Sequence, residues 1–268
     1  MEQDIVETDV GKIQVFRGGS GEPLVYLHSA TGEGAGLPFL DHLSESREVV
    51  SPMFPGFGES EGIDQIDDME DAVFHLLDLF ERLGLDTPAV AGLSLGGWMA
   101  AELATRYPER VRRLVLVNPV GLYIEGAEIG DIFGRTPGEL AEDMFSDQSH
   151  PIAQMMHAIG EYRNDPAQVA NLSFDMLKPI VKTMGATARL GWDPYLHNPR
   201  LRRRLHRITC PTLVVRGEDD GLVPAEHARA YVEEIPGARL EQVTGAAHLI
   251  PLEQPEELAR LIGGFIDG

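Results

Sequence analysis

The sequence predicts an α/β protein with one mostly parallel sheet of eight strands and a helical segment inserted into it. Short apolar runs alternate with amphipathic helical patterns along most of the chain, which is typical of strands joined by helices. The runs with the length and composition of strands are residues 4–10, 12–17, 24–27, 48–51, 88–93, 114–117, 213–215 and 239–243. The alternation stops between residues 121 and 207 and then resumes.

The first two strands are predicted to form an antiparallel hairpin at one edge of the sheet. Their apolar residues alternate with polar ones, and the two runs meet at Gly11. Residues 24–27 are continuously apolar instead, which indicates a strand that is covered on both faces. A glycine-rich turn follows at residues 28–36.

Helical patterns separate the later strands. They cover residues 67–83, 95–107, 225–235 and 256–266. The first of them places apolar residues at intervals of three and four, and we expect Asp67 and Glu70 to form a capping box at its start. Cys210 is the only cysteine, so an intrachain disulfide is excluded, and its position just before a strand predicts that it is buried.

Residues 121–207 are predicted to form a helical cap. They contain no short β-branched run, which a strand would require. Helical patterns occupy residues 139–145, 152–162 and 167–184. Because strand and helix alternate again after this segment, it interrupts one sheet and does not separate two domains. We therefore expect a core of residues 1–120 and 208–268 with the cap inserted in it.

Composition and charge restrict the partners. Of the 268 residues, 43% are hydrophobic, which is enough for a sizeable core. The net charge of −21 repels phosphate backbones, so we expect no nucleic-acid partner. The basic residues at 200–207 alternate with leucines at helical spacing, which indicates a solvated helix face. An acidic N-terminus and the lack of a long apolar stretch predict a cytoplasmic protein without membrane contact.

Ser94 is the candidate nucleophile. It is the central residue of a Gly-Leu-Ser-Leu-Gly pentapeptide at residues 92–96, between a predicted strand and a predicted helix. A serine in this position occupies a tight, strained turn, and the glycines on either side relieve the crowding of that turn. A plain glycine-rich turn is the alternative, but the strand before the pentapeptide and the helix after it favour the nucleophile.

A serine hydroxyl needs a base and an acid that orients it. His248 follows the last predicted strand in a loop of small residues, where its imidazole can reach back over the strand ends. The other histidines lie in helical or connecting segments, apart from His28 in the glycine-rich turn. The loop after the strand at 213–215 offers three carboxylates, on Glu218, Asp219 and Asp220.

With its serine, acid and histidine in this order, the chain resembles the α/β-hydrolase superfamily from the hairpin to the last helix. The family's acid loop commonly reads Gly-x-x-Asp-x-x-Val-Pro. This matches residues 217–224 and implies that Asp220 is the acid, with Asp219 as the second candidate. The resemblance further implies a serine hydrolase that acts without a cofactor or a metal.

The resemblance also implies an oxyanion hole formed by two backbone N–H groups, those of Leu95 and Ala30. The family usually has His-Gly before the second of these residues, whereas this chain reads His28-Ser29. Ser29 therefore stands in place of the customary glycine. In the family pattern His28 braces the loop and takes no part in the chemistry.

The predicted reaction is the hydrolysis of a carboxylic ester or lactone through an acyl-enzyme on Ser94. The alternatives are a carbon-carbon bond hydrolase with the same triad and a ligand receptor of low turnover. Leu249 follows His248 where carbon-carbon hydrolases of ring-cleavage pathways have a tryptophan, so the chain is nearer to esterases and enol-lactonases. Arg189 is either a clamp for a substrate carboxylate or a solvated surface residue.

The predicted cap is rich in methionine and aromatic residues, which suit a variable apolar substrate. The alternative is that these side chains only hold the cap helices together. The residues assigned to the substrate pocket are Met144, Met155, Met156, Trp192 and Leu249.

Overall fold

The computed structural model describes residues 1–34, 36–162 and 174–268. These residues form one sheet of eight strands in the order β1-β2-β4-β3-β5-β6-β7-β8. The strands are β1 Glu2–Thr8, β2 Gly11–Gly18, β3 Pro23–Leu27, β4 Glu48–Pro52, β5 Ala89–Leu93, β6 Arg113–Val117, β7 Thr212–Gly217 and β8 Arg239–Val243. Strand β2 is antiparallel to both of its neighbours, and the other neighbouring pairs are parallel. The predicted fold class is therefore confirmed.

The central strands form the core. Every residue of β5 and β7 is buried, because helices cover both faces of the parallel part of the sheet. Burial of one valine or leucine side chain stabilises a fold by roughly 1.5–3 kcal/mol, so these strands contribute much of its stability. Strand β1 is mostly exposed at the edge of the sheet. Its turn to β2 lies at Asp9 and Val10, and Gly11, which was expected at the turn, is the first residue of β2.

Helices follow most of the strands, as the sequence predicts. They are α1 Pro38–Ser44, α2 Met69–Arg82, α3 Leu95–Arg106, α4 Pro137–Met144, α5 Pro151–Tyr162, α6 Phe174–Gly191, α7 Ala225–Glu234, α8 Ile250–Glu253 and α9 Pro255–Asp267. The first part of the helix predicted at 167–184 lies outside the described residues. The basic segment is a short 3-10 helix, Arg202–Arg207, with Leu205 buried. Cys210 is buried two residues before β7.

The start of α2 differs from the prediction. Asp68 caps this helix, because its Oδ1 accepts hydrogen bonds from the backbone N–H groups of Glu70 and Asp71 at 2.7 and 3.0 Å. The predicted capping box of Asp67 and Glu70 is therefore wrong, because the cap is Asp68, one residue later. The Asp67 backbone N–H instead donates to the side chain of Asp71 at 2.9 Å. Two adjacent aspartates made the cap ambiguous in the sequence.

The chain between β6 and β7 contains α4, α5 and α6. Apart from one isolated bridge between Gly121 and His197, its described residues are in helices, turns or irregular segments. Strands β6 and β7 are nevertheless direct parallel neighbours. The segment thus leaves the sheet at one strand and returns at the next. None of the helices in the described part of the chain has the length and apolar composition to cross a lipid bilayer.

Candidate active site

Ser94 lies in a strained elbow between β5 and α3. Its backbone angles are φ 53° and ψ −109°, a conformation that residues other than glycine rarely adopt. The Ser94 N–H donates to the carbonyl of Val117 in β6 at 2.9 Å, and the Ser94 carbonyl accepts from Trp98 N–H at 3.0 Å. The sheet on one side and the first turn of α3 on the other therefore hold the backbone of Ser94.

The glycines on either side of Ser94 are required by close backbone contacts. A Cβ atom on Gly92 would lie 2.3 Å from the carbonyl oxygen of Gly96. A Cβ atom on Gly96 would lie 2.1 Å from the carbonyl oxygen of Leu27 in β3. Neither position has room for a side chain, so the pentapeptide forms the tight strand–turn–helix elbow that it predicts.

Asp220 and His248 form a buried pair. His248 Nδ1 lies 3.0 Å from Asp220 Oδ2. An ionised carboxylate can only accept hydrogen bonds, so Nδ1 carries the proton and Nε2 is left as a proton acceptor. The second oxygen, Asp220 Oδ1, accepts from the backbone N–H groups of Leu222 and Val223, both at 2.9 Å. The carboxylate therefore cannot rotate away from the imidazole without losing these two bonds.

The neighbouring carboxylates point elsewhere. Glu218 and Asp219 are exposed, in contrast to Asp220. Asp219 Oδ2 accepts a hydrogen bond from the hydroxyl of Ser146 at 2.6 Å, in the segment after α4. Of the three carboxylates that the sequence offered, the structure brings Asp220 to His248.

Asn118 is a site residue that we did not predict from the sequence. It follows β6 directly, is buried and has a φ of 41°. Its Nδ2 donates to the carbonyl oxygens of Ala247 and His248 at 3.1 and 2.9 Å, and its Oδ1 accepts from Gly217 N–H at 3.0 Å. One amide thus joins the end of β7 to the loop of His248. The sequence feature that could have indicated it is a polar residue directly after a buried apolar strand, the next strand along the chain after the one that precedes Ser94.

His28 braces the loop after β3. Its Nδ1 donates to the carbonyl of Ser29 at 2.7 Å, and its Nε2 accepts from the backbone N–H of Phe54 at 3.0 Å. Burial lowers the pKa of His28, so the ring is held in the neutral form that these two bonds need. Both ring nitrogens are used, which matches the bracing role that the family pattern implies.

The predicted oxyanion donors are the backbone N–H groups of Ala30 and Leu95. Within the described residues, neither group donates a hydrogen bond to the protein. Leu95 is the first residue of α3, where backbone N–H groups have no partner inside the helix. Ala30 lies in the loop that His28 braces. Two such groups can bind an oxygen that carries negative charge.

The predicted pocket residues differ in their burial. Met144 and Leu249 are both buried, and Leu249 N–H donates to the carbonyl of Met144 at 3.2 Å. Met156 is half-buried. Met155 and Trp192 are 54% and 63% exposed. The ring of Trp192 packs on that of Phe133, with centroids 5.1 Å apart. The structure therefore gives Met155 and Trp192 no place in an enclosed pocket, because both side chains face solvent.

Arg189 is partly exposed and binds three groups of the protein. Its guanidinium donates to the carbonyl oxygens of Ile66 and Asp64 and to Asp67 Oδ1, the last at 2.6 Å. These bonds tie α6 to the segment before α2. The Nε and Nη2 donors of Arg189 thus have acceptors in the protein, which favours a structural role over that of a substrate clamp.

Comparison with known proteins gives the family. Residues 22–255 match the model of the alpha/beta hydrolase fold family, and the chain belongs to it. A biotin biosynthesis bifunctional protein from Teredinibacter turnerae is 29% identical over 85% of this chain, which spans 40% of that protein's length. A 2-hydroxymuconate semialdehyde hydrolase from Pseudomonas putida is 28% identical, over 92% of this chain and 88% of its own length.

A solved structure has the same fold. The naproxen esterase of Bacillus subtilis superimposes with a TM-score of 0.75 at 21% identity, over 99% of this chain and 91% of its own. At this level of identity the likeness concerns the fold alone. The match to the family model, and not this likeness, identifies the protein as an alpha/beta hydrolase.

Proposed function

We propose that this protein is a serine hydrolase that cleaves carboxylic esters or lactones through an acyl-enzyme on Ser94. The observation that carries the proposal is the buried hydrogen bond of 3.0 Å between His248 and Asp220. Strands β5, β7 and β8 are parallel, so the residues that follow them lie at the same edge of the sheet. Ser94, Asp220 and His248 each follow one of these strands.

The proposed reaction has two halves. Ser94 Oγ attacks the carbonyl carbon while His248 Nε2 takes the hydroxyl proton, and Asp220 orients the imidazole and stabilises its positive charge. The carbonyl oxygen, now negative, accepts hydrogen bonds from the N–H groups of Ala30 and Leu95. The intermediate then expels the alcohol, which receives the proton from His248. Water, activated by His248, releases the acid from Ser94 in the second half.

Residues 121–207 are proposed to cover this site as a cap on a core of residues 1–120 and 208–268. Two contacts support this assignment. The Thr187 hydroxyl of α6 donates to the carbonyl of Ala30 at 3.3 Å, and Gly221 N–H donates to the carbonyl of Asp143 in α4 at 3.1 Å. The segment therefore touches both the proposed oxyanion loop and the loop of the acid.

Hydrolysis of a carbon-carbon bond with the same triad is the second candidate. The likeness to the 2-hydroxymuconate semialdehyde hydrolase of Pseudomonas putida favours it, and the relatives support it as much as ester hydrolysis. Two features of this chain favour the ester instead. The Nε and Nη2 groups of Arg189 are bonded to Asp67 and two carbonyl groups, which favours a structural role over the binding of a substrate carboxylate. Leu249 follows His248 where a tryptophan would support the second candidate.

The test compares nitrophenyl esters of increasing acyl length with 2-hydroxymuconate semialdehyde. Each is assayed with the wild type, Ser94→Ala and the control Ser46→Ala, an exposed serine just before β4, at the edge of the sheet opposite the proposed site. We expect turnover of the esters and a loss on the order of 10⁶ in kcat in Ser94→Ala, with Ser46→Ala unchanged.

Three results would contradict the proposal. Faster turnover of the semialdehyde than of the esters would favour carbon-carbon hydrolysis as the reaction of this protein. Equal ester turnover in the wild type and Ser94→Ala would exclude Ser94 as the nucleophile for both reactions. Tight binding of ligands without turnover would favour a receptor.

A further inference from the structure

The loop after β3 contains a feature that the proposed mechanism does not use. Ser29 stands where the family usually has glycine, and it is buried next to Ala30. Its backbone φ is not positive, so this loop does not need the conformational freedom of glycine there. A buried hydroxyl does need a hydrogen-bond partner, and the loop provides one four residues later.

That partner is the carboxylate of Glu33. Oε1 accepts from the Ser29 backbone N–H at 2.7 Å and from the Tyr26 hydroxyl at 2.9 Å. Oε2 accepts from the hydroxyls of Ser29 and Thr31, both at 2.6 Å. Ser29 Oγ in turn accepts from the Thr31 backbone N–H at 3.1 Å. Four donors from three residues therefore converge on one half-buried carboxylate.

These bonds hold the loop on both sides of Ala30. Ser29 precedes Ala30 and Thr31 follows it, and both are fixed to Glu33. Hydrogen bonds to a charged group are about twice as strong as those between neutral groups, so this carboxylate restrains the loop more than a neutral side chain would. The four donors also screen the charge of Glu33, which would otherwise oppose a negative oxygen nearby.

Glu33 also affects the pKa values of two neighbouring side chains, Tyr26 and His28. Burial is the main reason why the pKa of Tyr26 is raised well above its ordinary value, and the negative charge of Glu33 raises it further. The Tyr26 hydroxyl therefore remains a donor to the carboxylate at all working pH values. The same charge acts on His28, where it opposes the larger lowering of the pKa by burial.

We propose that Glu33 is a positioning residue of the oxyanion hole, which fixes Ser29 and Thr31 and thereby directs the N–H of Ala30 at the substrate carbonyl oxygen. This inference rests on the proposed hydrolase function. Ser29 gives this carboxylate a side-chain hydroxyl to bind, which a glycine at the same position would not provide. Glu33 contacts neither the substrate nor the reacting atoms in this role, and acts through Ala30.

The test uses Glu33→Ala, the conservative Glu33→Gln and Thr31→Val, which removes one donor beside Ala30. Glu45→Gln is the matched control, because Glu45 is an exposed glutamate at the end of α1. The measurements are kcat and KM for a nitrophenyl ester, the affinity for phenylboronic acid and the thermal midpoint of unfolding. Phenylboronic acid forms a tetrahedral adduct on a serine nucleophile and places an oxygen in the oxyanion hole.

We expect Glu33→Ala to lower kcat by about 10- to 100-fold, since complete removal of one oxyanion donor costs about 10²- to 10³-fold. The affinity for phenylboronic acid should fall in parallel, while KM changes by less than about twofold. Glu33→Gln keeps one acceptor oxygen, so it should lose less than Glu33→Ala, and Thr31→Val should also lose less. Glu45→Gln should behave as the wild type.

A merely structural role for Glu33 predicts a different result. The thermal midpoint would fall while kcat and the phenylboronic acid affinity of the folded variants stayed at the wild-type values, and this would overturn the inference alone. Glu33→Gln and Thr31→Val provide this comparison if Glu33→Ala does not fold. If Ser94→Ala turned over the ester as fast as the wild type, the proposed function and the inference would instead be overturned together.

Discussion

Two layers of this hydrolase are held in place by different kinds of contact. They are the strand-end layer, which contains the residues that follow the parallel strands, and the helical insertion between β6 and β7. At the strand ends, Asp220 and Asn118 are buried. Asp220 binds backbone N–H groups of its own loop, and Asn118 binds the end of β7 and the loop of His248, at 2.9 to 3.1 Å. In the helical insertion, Arg189 and Lys182 bind the core from partly exposed positions on α6. The proposed catalytic residues are therefore held by buried hydrogen bonds, whereas these charged side chains of α6 bind through contacts that water and salt reach.

The energies of the two kinds of contact differ in the same direction. A buried polar group that loses its partner costs about 1–3 kcal/mol, and a charged one costs more. An exposed ion pair contributes about 0–1 kcal/mol and is weakened by salt. Substitutions at the strand ends should therefore have large effects on kcat, and substitutions in the contacts of α6 should have small ones.

The largest effect is expected at Asp220, the proposed acid of the strand-end layer. Asp220→Asn should lower kcat by about 10⁴-fold, because an amide facing His248 Nδ1 favours the wrong tautomer and does not stabilise the imidazolium. Asp219→Asn is the matched control, since this neighbouring carboxylate binds Ser146 and should change kcat by less than about threefold. Both variants are assayed on the same nitrophenyl ester. A loss in Asp220→Asn as small as the one expected for Asp219→Asn would show that the buried pair does not set the rate.

Asn118 should show an intermediate effect. Asn118→Asp changes the volume little but replaces two N–H donors by an oxygen that faces the carbonyl groups of Ala247 and His248. We expect it to lower kcat by about 10- to 100-fold and the free energy of unfolding by about 1–3 kcal/mol. Ester assays and urea unfolding at neutral pH measure the two changes.

Asn118→Ala serves as the comparison for this variant. It removes the same donors without adding a charge, so it should lower kcat and the free energy of unfolding less than Asn118→Asp does. A wild-type kcat in both variants would show that the His248 loop holds its position without this amide, and would weaken the contrast between the two layers.

Much of the strand-end layer could be predicted from the sequence, because its signals are local. Ser94 is marked by its flanking glycines, and His248 by a loop of small residues after a strand. The acid required the family pattern, since three carboxylates share its loop. The structure then separates Asp220 from Asp219 by burial, which depends on how the loop folds back on itself.

The remaining features depend on contacts between segments that are distant in the sequence. The hydrogen bonds of Asn118 join residues 118, 217 and 247–248, and no local pattern shows that these will meet. The exposure of Met155 and Trp192 likewise follows from how the inserted helices pack. The apolar character of these two side chains does not predict whether they face the interior or the solvent. Periodicity predicts that a helix exists, and it does not predict which neighbour its apolar residues will contact.

The smallest effect is expected where α6 contacts the segment before α2. The side chains of Arg189 and Asp67 are 39% and 83% exposed, and their ion pair spans 2.6 Å. Asp67→Asn should lower the free energy of unfolding by less than about 1 kcal/mol, and the loss should diminish at high salt. The value of kcat for a short nitrophenyl ester should stay within about twofold of the wild type, because the site itself is held by the strand ends.

A double-mutant cycle with Arg189→Gln isolates the energy of this pair from the backbone contacts of the guanidinium. Arg189→Gln alone should cost more than Asp67→Asn, since it also removes the donors to Ile66 and Asp64. If Asp67→Asn reduced kcat as much as Asn118→Asp does, the position of α6 would control the chemistry directly. The insertion would then belong to the same rigid unit as the strand ends, and the distinction between the two layers would no longer hold.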